Sequence, residues 1–244
     1  KGVDSQKRAD ITVELKMPDM SKMKKWRELG QPYLHKGMWV RGPQEEYTIK
    51  EQGLYKKVEV QPGDVVMDGG AHIGCTTRYF LDKGASYVHA YEPEPSNYSL
   101  LERNTKGFPV QLHRGCLVGP EFAGDEIGLW LSQGSFTTTH TVYEKQGREM
   151  IQVPAIRFLD EVKCIRPSII KLDIEGSELE MIDDFQHIAS SMKQVRCVAM
   201  EIHSLMNKTS KQLAKRLEQV MASGFNAVVP IRYNWSICTP IWSR

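Results

Sequence analysis

Two acidic residues, Asp68 and Glu92, each end a short apolar run, and about one β-α-β unit separates them. A glycine turn, Gly69–Gly74, follows the first acid directly. Because the carboxyl ends of neighbouring parallel strands meet at one edge of a sheet, we expect both carboxylates to lie beside the same crevice. This pattern is typical of half of a nucleotide-binding pocket.

The glycine turn discriminates between two nucleotide cofactors. A dinucleotide loop follows G-x-G-x-x-G, and its second glycine lets the backbone approach a pyrophosphate. Here Ala71 takes that position, and Asp68 stands before the loop, where a carboxylate repels a diphosphate. The Asp68 carboxylate could accept hydrogen bonds from a methionine-type ammonium group or orient water, and Glu92 could accept two ribose hydroxyls. The turn therefore favours S-adenosylmethionine over NAD, with a purely structural glycine turn as the alternative.

Four more ionisable residues end two later apolar runs. Asp173 and Glu175 are two residues apart, and so are Glu201 and His203. Residues two apart on a strand point to the same face, so each pair is expected to face one way. Ligands of an open parallel sheet bind outside the carboxyl ends of its strands. The four groups are therefore predicted to converge beside the bound cofactor.

This cluster could activate a nucleophile beside the cofactor in two ways. A protonated nucleophile reacts poorly, so its attack needs a general base or a metal ion. His203 has the ordinary pKa nearest neutrality, and Asp173 and Glu175 are alternative bases, one of whose pKa values is raised by the like charges. Alternatively, Asp173 and Glu201 could ligate Mg²⁺, or the acids could be purely structural. We predict that Asp173 and His203 carry the proton transfer without a metal.

The elements that must position these residues follow a regular order. From Asp64 onwards, short apolar runs alternate with helix-length segments, as in a parallel sheet covered by helices on both faces. Helices are expected from an N-cap at Ser96 to Asn104 and over Thr209–Ser223. Residues Glu126–Thr141 predict an inserted strand and loop. The five strand runs are Val65–Asp68, Tyr87–Glu92, Val110–Val118, Ile169–Glu175 and Cys197–His203.

The two ends of the chain depart from this order. Residues 1–43 are expected to form an N-terminal extension, with a helix near Ser21–Leu29, that covers one side of the active site. Residues 44–244 are expected to form the main domain. The last part of the chain predicts an antiparallel hairpin around a tight connection at Asn234 and Trp235. Its two strands are Ala227–Tyr233 and Ser236–Trp242.

Composition limits the class of protein. The length of 244 residues and the hydrophobic content of 41% predict one large α/β domain. With 25% charged residues and a net charge of only +2, we expect no nucleic-acid partner. Five scattered cysteines without a CxxC pair argue against disulfides and zinc, and indicate a cytoplasmic protein with reduced thiols. No membrane span or signal peptide is visible. Because the chain starts at Lys1, we expect further domains of a longer polypeptide.

Three blocks of sequence resemble the FkbM-type methyltransferases. They are Val66–Gly74, then Ala90–Tyr98 with Leu100–Asn104 after it, and Ile170–Glu178 followed by Met200–His203. The likeness spans about residues 44–232. It implies a class I methyltransferase (Rossmann-like) fold, that is, a mostly parallel seven-stranded sheet with helices on both faces and a C-terminal antiparallel hairpin. It also implies S-adenosylmethionine as cofactor and a hydroxyl acceptor, commonly on a sugar or a polyketide-like product.

The resemblance and the loop together give the candidate cofactor residues Asp68, Gly70, Ala71, His72, Glu92, Pro93 and Cys116. His72 is expected to contribute its backbone, and Cys116 either contacts adenine or is structural. The segment Ser135–Thr139 either lines the acceptor site or forms a polar loop. We predict O-methylation of a sugar hydroxyl of a glycan or glycoconjugate. The alternatives are a polyketide or other small natural product as acceptor, or a non-catalytic module of a larger protein.

Overall fold

The computed structural model describes residues 31–132, 140–143, 147–203, 208–233 and 237–244. Within these ranges, the strands are Tyr33–His35 (β1), Met38–Val40 (β2), Val65–Gly69 (β3), Tyr87–Tyr91 (β4), Val110–His113 (β5), Cys116–Val118 (β6), Glu126–Trp130 (β7), Met150–Arg157 (β8), Ile169–Leu172 (β9), Cys197–Met200 (β10), Asn226–Val229 (β11) and Ile241–Ser243 (β12). The α-helices are Pro43–Glu51 (α1), Cys75–Asp82 (α2), Pro95–Thr105 (α3), Phe158–Ile165 (α4), Ile182–Ser191 (α5) and Lys208–Ala222 (α6).

Seven strands form a central sheet in the order β11-β12-β10-β9-β3-β4-β5. The five strands from β10 to β5 in this order are parallel, whereas β12 runs antiparallel to both β10 and β11. This confirms the predicted fold class, including the C-terminal antiparallel pair. The strand order reverses between β3 and β9, so the crevice for a ligand lies at their carboxyl ends.

Helices cover both faces of this sheet, as predicted. Side chains alternate across a strand, so successive residues of β9 enter different hydrophobic clusters. Ile169 packs in one cluster with Phe80 of α2. Ile170 packs in the other with Phe185 of α5 and Leu217 of α6. These two clusters fix the sheet edge on which the site residues stand.

The run Val110–Val118, predicted as one strand, is divided between two sheets. β5 belongs to the central sheet, whereas β6 pairs with β8 in a three-stranded sheet of order β6-β8-β7. Gly115 lies at the division, where an added Cβ would be 2.8 Å from both the Ile156 side chain and the Pro154 carbonyl oxygen. The chain can therefore cross close to β8 only without a side chain. The strand predicted in the inserted segment is β7.

The two strands of the C-terminal hairpin are shorter than predicted. Residues 230–240 join β11 to β12. Within this connection, the N–H of Cys238 donates to the carbonyl oxygen of Ile202 at 3.2 Å, and the reverse bond measures 2.8 Å. This pairing draws the connection toward the segment after β10. Asn234 and Trp235, the predicted turn, lie outside the described residues.

Helix α3 begins with Pro95, and its N-cap is Glu94 rather than the predicted Ser96. The Glu94 carboxylate accepts hydrogen bonds from the N–H groups of Ser96 and Asn97, at 3.0 and 2.6 Å. Proline suits the first helical position because its missing N–H needs no partner there. A carboxylate also interacts favourably with the positive end of the helix dipole.

The described part of the N-terminal extension packs against α3. The N–H of Trp39 donates to Oδ1 of Asn104 at 2.6 Å, and Nδ2 of Asn104 donates back to the Trp39 carbonyl oxygen at 3.0 Å. The boundary expected after residue 43 falls at the first residue of α1, and the helix predicted near Ser21–Leu29 lies outside the described residues. In the described ranges, no helix combines the length and the apolar character that a bilayer crossing requires.

Candidate functional site

The glycine loop joins β3 to α2 and is held against the segment that follows β9. The N–H groups of Gly70 and Ala71 both donate to the carbonyl oxygen of Tyr91, at 3.0 and 2.9 Å. The N–H of Asp173 donates to the carbonyl oxygen of Gly69 at 3.1 Å. A Cβ on Gly70, whose φ is +71°, would lie 1.8 Å from the Asp173 carbonyl oxygen. Glycine is therefore required at position 70.

Asp68 is fully buried, and both of its carboxylate oxygens face polar groups inside the protein. Oδ1 lies 3.0 Å from Nζ of Lys171, and Oδ2 accepts hydrogen bonds from the hydroxyls of Thr76 and Thr77, at 2.8 and 2.6 Å. Lys171 also donates to two carbonyl oxygens of the glycine loop, at 3.1 and 2.8 Å. Asp68 therefore supports the loop, and its expected contact with the ammonium group of the cofactor stays a prediction.

Lys171 itself is absent from the residues predicted for the site. Its side chain is only 1% exposed, although a lysine is almost never fully buried without a partner. The signal in the sequence is a single cation inside the apolar run of β9. Because Lys171 and Asp68 face each other as partners on neighbouring strands, the sheet register itself creates the ion pair.

Glu92 follows β4, as predicted, and its carboxylate orders the turn into α3. It accepts hydrogen bonds from the N–H groups of His72 and Glu94, both at 2.9 Å, and from Nδ2 of Asn97 at 3.3 Å. Burial raises the pKa of Glu92 to about 7, against the opposing effect of these donors. Pro93 is half-buried in the turn. A carboxylate with this placement can accept hydrogen bonds from ribose hydroxyls.

Two further candidate cofactor residues, His72 and Cys116, lie close to Glu92. His72 takes a left-handed φ of 51°, which aims its backbone N–H at that carboxylate, while its buried ring lies 3.9 Å from an oxygen of Glu45. Burial lowers the pKa of His72 well below its usual value. Burial, followed by the charge of Glu92, raises the pKa of the Cys116 thiol to about 12. The thiol is therefore uncharged, and its contact with adenine stays a prediction.

Asp173, Glu175, Glu201 and His203 meet at the carboxyl ends of β9 and β10. Nε2 of His203 lies 3.8 Å from Oδ1 of Asp173, 3.6 Å from Oε2 of Glu175 and 3.8 Å from Oε1 of Glu201. The His203 side chain is 10% exposed, whereas the three carboxylates are partly open to solvent. The structure thus brings together the four side chains that the sequence placed at these strand ends.

The two pairs reach this cluster in different ways. β9 ends before Asp173, and Glu175 has a left-handed φ of 58°, so this pair converges through a turn rather than through strand alternation. Glu201 and His203 flank Ile202, which is fully buried and forms an antiparallel bridge. Their backbone is therefore still extended, and the predicted alternation places both on one side.

Glu178 is a member of the cluster that the prediction missed. Its carboxylate is fully buried and lies 3.2 Å from Nδ1 of His203. It also accepts hydrogen bonds from the N–H groups of Ile174 and Gly176, at 2.9 and 3.0 Å. These donors fix the carboxylate, and the carboxylate fixes the imidazole ring. Because Glu178 follows a turn, the alternation of side chains along β9 does not predict where its side chain lies.

The charges of the cluster change the expected acid–base behaviour. Burial alone lowers the pKa of His203, but the hydrogen bond and charge of Glu178, with the charges of Asp173 and Glu175, raise it to about 10. Burial raises the pKa of Asp173, and burial with the charges of Asp173 and Glu178 raises that of Glu175 to about 8. His203 is therefore protonated at neutral pH in this arrangement, contrary to the expectation of a near-neutral base.

Residues after the inserted loop lie over the turn that carries Glu175. Oγ1 of Thr141 donates to the Glu175 carbonyl oxygen at 3.1 Å, and the hydroxyl of Tyr143 donates to the Gly176 carbonyl oxygen at 3.2 Å. The predicted acceptor segment, Ser135–Thr139, lies outside the described residues. The segment after the inserted loop therefore borders the turn that brings Glu175 to the cluster.

Comparisons with known proteins identify the family of the chain. The sequence profile described as "Methyltransferase FkbM domain" matches residues 68–226, which confirms the family expected from the three sequence blocks. A curated relative, the hexuronic acid methyltransferase AglP of Haloferax volcanii, is 24% identical over 168 residues, covering 68% of this chain and 66% of that protein. The chain thus spans about two thirds of that relative.

Solved methyltransferase structures were also compared with the chain. A methyltransferase FkbM of Methylobacillus flagellatus has a TM-score of 0.47 and 15% identity, over 92% of this chain and 59% of that one. The ribosomal protein L11 methylase of Lactobacillus delbrueckii has a TM-score of 0.45 and 15% identity, over 83% of this chain and 80% of that one.

Proposed function

Since the chain belongs to the FkbM methyltransferase family, whose profile matches most of its length, we propose that it methylates a hydroxyl group of a sugar in a glycan or glycoconjugate, with S-adenosylmethionine as donor. The observation that carries this proposal is the direct contact between the glycine loop and the ionisable cluster. The N–H of Asp173 donates to the carbonyl oxygen of Gly69, so the loop for the donor and the groups for the acceptor share one hydrogen bond.

The residues present fit the donor. Glu92 offers a buried carboxylate at the end of β4, where two ribose hydroxyls can donate to it. The loop lacks side-chain bulk at Gly70, and Ala71 replaces the glycine that a pyrophosphate needs. When bound, S-adenosylmethionine supplies an activated methyl group on a sulfonium ion. The protein therefore has to align the acceptor oxygen and remove its proton.

The cluster can perform both tasks. Carboxylate oxygens of Asp173 and Glu175 lie near Nε2 of His203, at 3.8 and 3.6 Å, and can accept hydrogen bonds from a sugar hydroxyl. Alignment fixes the oxygen for in-line attack, and the hydroxyl proton passes to a carboxylate oxygen as the new C–O bond forms and the bond between the methyl carbon and sulfur breaks, leaving its electron pair on sulfur. A sugar suits this site because its several hydroxyls can engage several carboxylates. AglP, named for a hexuronic acid, supports the same class of acceptor.

The test is methyl transfer from labelled S-adenosylmethionine to a panel of monosaccharide glycosides, uronic acids and phenolic or polyketide-like alcohols, followed by mass spectrometry. We expect methyl ethers on sugars, and a turnover lowered about 10²–10⁴-fold in Asp173→Asn and His203→Gln. Asp82→Asn, on the exposed end of α2, is the matched control and should keep full activity. Methylation of non-sugar alcohols alone, or near-normal turnover in both site variants, would contradict the proposal.

A further inference from the structure

Two distances inside the cluster, from His203 to Asp173 and to Glu201, match those between ligands of a shared ion. One ligand atom each from Asp173, Glu201 and His203 lies within 4.8 Å of the other two. The Nε2 atom of His203 is 3.8 Å from both carboxylate oxygens, which is too long for an N–H···O hydrogen bond. Two ligands that hold one small divalent ion at about 2.1 Å lie roughly 3.0 to 4.2 Å apart, depending on the angle between them.

The imidazole ring is oriented as metal-binding histidines are. Its Nδ1 atom lies 3.2 Å from the buried carboxylate of Glu178, which two backbone N–H groups hold in place. Histidines that bind metals almost always donate their other ring N–H to a carboxylate or carbonyl oxygen, which fixes the tautomer and the ring orientation. With the Nδ1 hydrogen directed at Glu178, a bound cation would displace the Nε2 proton and take up the Nε2 lone pair, 3.8 Å from oxygens of Asp173 and Glu201.

The charges of the cluster also favour a cation. Four carboxylates, those of Asp173, Glu175, Glu178 and Glu201, surround the single imidazole of His203. Buried charges in proteins are normally paired or bound to metals. The charge of Lys171, which is paired with Asp68, acts on Asp173, and the charge of Arg148 acts on Glu175. A divalent ion would add positive charge among these carboxylates.

We propose that Asp173, Glu201 and His203 bind a divalent cation of the Mg²⁺ or Mn²⁺ class, and that this cation binds two neighbouring oxygens of the sugar acceptor. The second half of the proposal rests on the proposed function. Carboxylate ligands select this oxygen-preferring class, and its octahedral shell leaves three positions for water and acceptor oxygens. Glu175, whose Oε2 is 3.6 Å from Nε2 of His203, stands where it can accept a hydrogen bond from a cation-bound hydroxyl.

The experiment measures Mn²⁺ binding to the whole chain by the loss of the free-ion signal in electron paramagnetic resonance, with Mg²⁺ as competitor. We expect one Mn²⁺ per chain, displaced by Mg²⁺. Affinity should fall at least tenfold in Glu201→Gln, and about 10- to 100-fold in Glu178→Gln, whose side chain orients the imidazole and is not itself a proposed ligand. Glu102→Gln, on the exposed face of α3, is the control and should bind as the wild type does. Circular dichroism melts establish that each variant is folded.

Absence of Mn²⁺ binding by the wild-type chain at millimolar concentration would overturn the cation site. So would unchanged affinity in folded Glu201→Gln, or binding of Zn²⁺ without Mn²⁺. The methyl-transfer assay distinguishes failure of the cation site from failure of the proposed function. Sugar methylation that persists after exhaustive chelation would contradict the cation site and support the proposed methyltransferase activity. Stoichiometric Mn²⁺ binding without transfer to any sugar supports the cation site and contradicts the acceptor class.

Discussion

The buried ion pair between Lys171 and Asp68 should hold the glycine loop in place, and its removal gives a measurable loss of stability. Lys171→Met keeps the aliphatic stem but removes the ammonium group. The Asp68 carboxylate, which is fully buried, then has no cation within reach of Oδ1. Breaking a buried pair from one side costs about 3–5 kcal/mol, because a charge is left without compensation. For a chain of this size, that loss lowers Tm by roughly 10 °C.

A double-mutant cycle tests the cause of this loss. Asp68→Asn removes the negative charge and keeps an acceptor for the hydroxyls of Thr76 and Thr77. If Lys171→Met destabilises the protein because it leaves the Asp68 carboxylate without a cation, adding Asp68→Asn should restore part of the lost free energy of unfolding. The expected coupling between the two substitutions is about 2 kcal/mol, within the range seen for residues in direct contact.

The assay is urea unfolding of the four proteins, with midpoints and slopes compared. Lys163→Met is the matched control, because Lys163 forms an ion pair with Asp160 at 4.0 Å while both side chains are more than half exposed. A surface pair of this kind contributes little, so the control should change stability by less than about 1 kcal/mol. Additive losses in the cycle, or a loss in Lys171→Met no larger than in the control, would refute the reasoning.

Two further predictions concern the donor side of the site. Because the pKa of Glu92 is raised to about 7, its carboxyl is protonated below that pH and cannot accept both ribose hydroxyls. Calorimetry should therefore show the affinity for S-adenosylmethionine rising with pH up to about 7 and then levelling off, and a flat profile for the wild type contradicts the ribose contact. Gly70→Ala should abolish cofactor binding, since its Cβ would meet the Asp173 carbonyl oxygen at 1.8 Å. Gly63→Ala has a similar positive φ but open space around it, so retained binding there isolates the steric effect.

The sequence was sufficient for the sheet because its strands are short, apolar and separated by helix-length segments. It also placed Glu92 and the Asp173–His203 cluster at the correct strand ends, since parallel strands bring their carboxyl ends together. The two-residue alternation of a strand did not predict the structure where the chain turns. The run from Val110 divides at Gly115, which lets the backbone cross β8, and Glu175 reaches the cluster through a left-handed residue conformation.

Burial and charge in three dimensions explain the other differences. Asp68, predicted to contact the cofactor from its place before the glycine loop, also forms a buried ion pair that the sequence did not indicate. The lysine 3.0 Å from its Oδ1 lies on β9, far along the chain, and only the register of the sheet brings the two together. The expectation of a near-neutral pKa for His203 was wrong for a similar reason, because a distant partner changes it. Glu178, hidden beyond a turn, supplies the charge and the hydrogen bond that raise it to about 10.

One stretch of chain, from Lys171 to Glu178, connects the two halves of the site. Lys171 donates to two carbonyl oxygens of the glycine loop. Asp173 belongs to the ionisable cluster and donates its N–H to the same loop, and Glu178 orients His203. A displacement of the loop on donor binding would therefore move Asp173 through a direct hydrogen bond. In the proposed reaction, carboxylates of this stretch align the acceptor oxygen, so substitutions at Lys171 should alter the KM for the acceptor as well as for the donor.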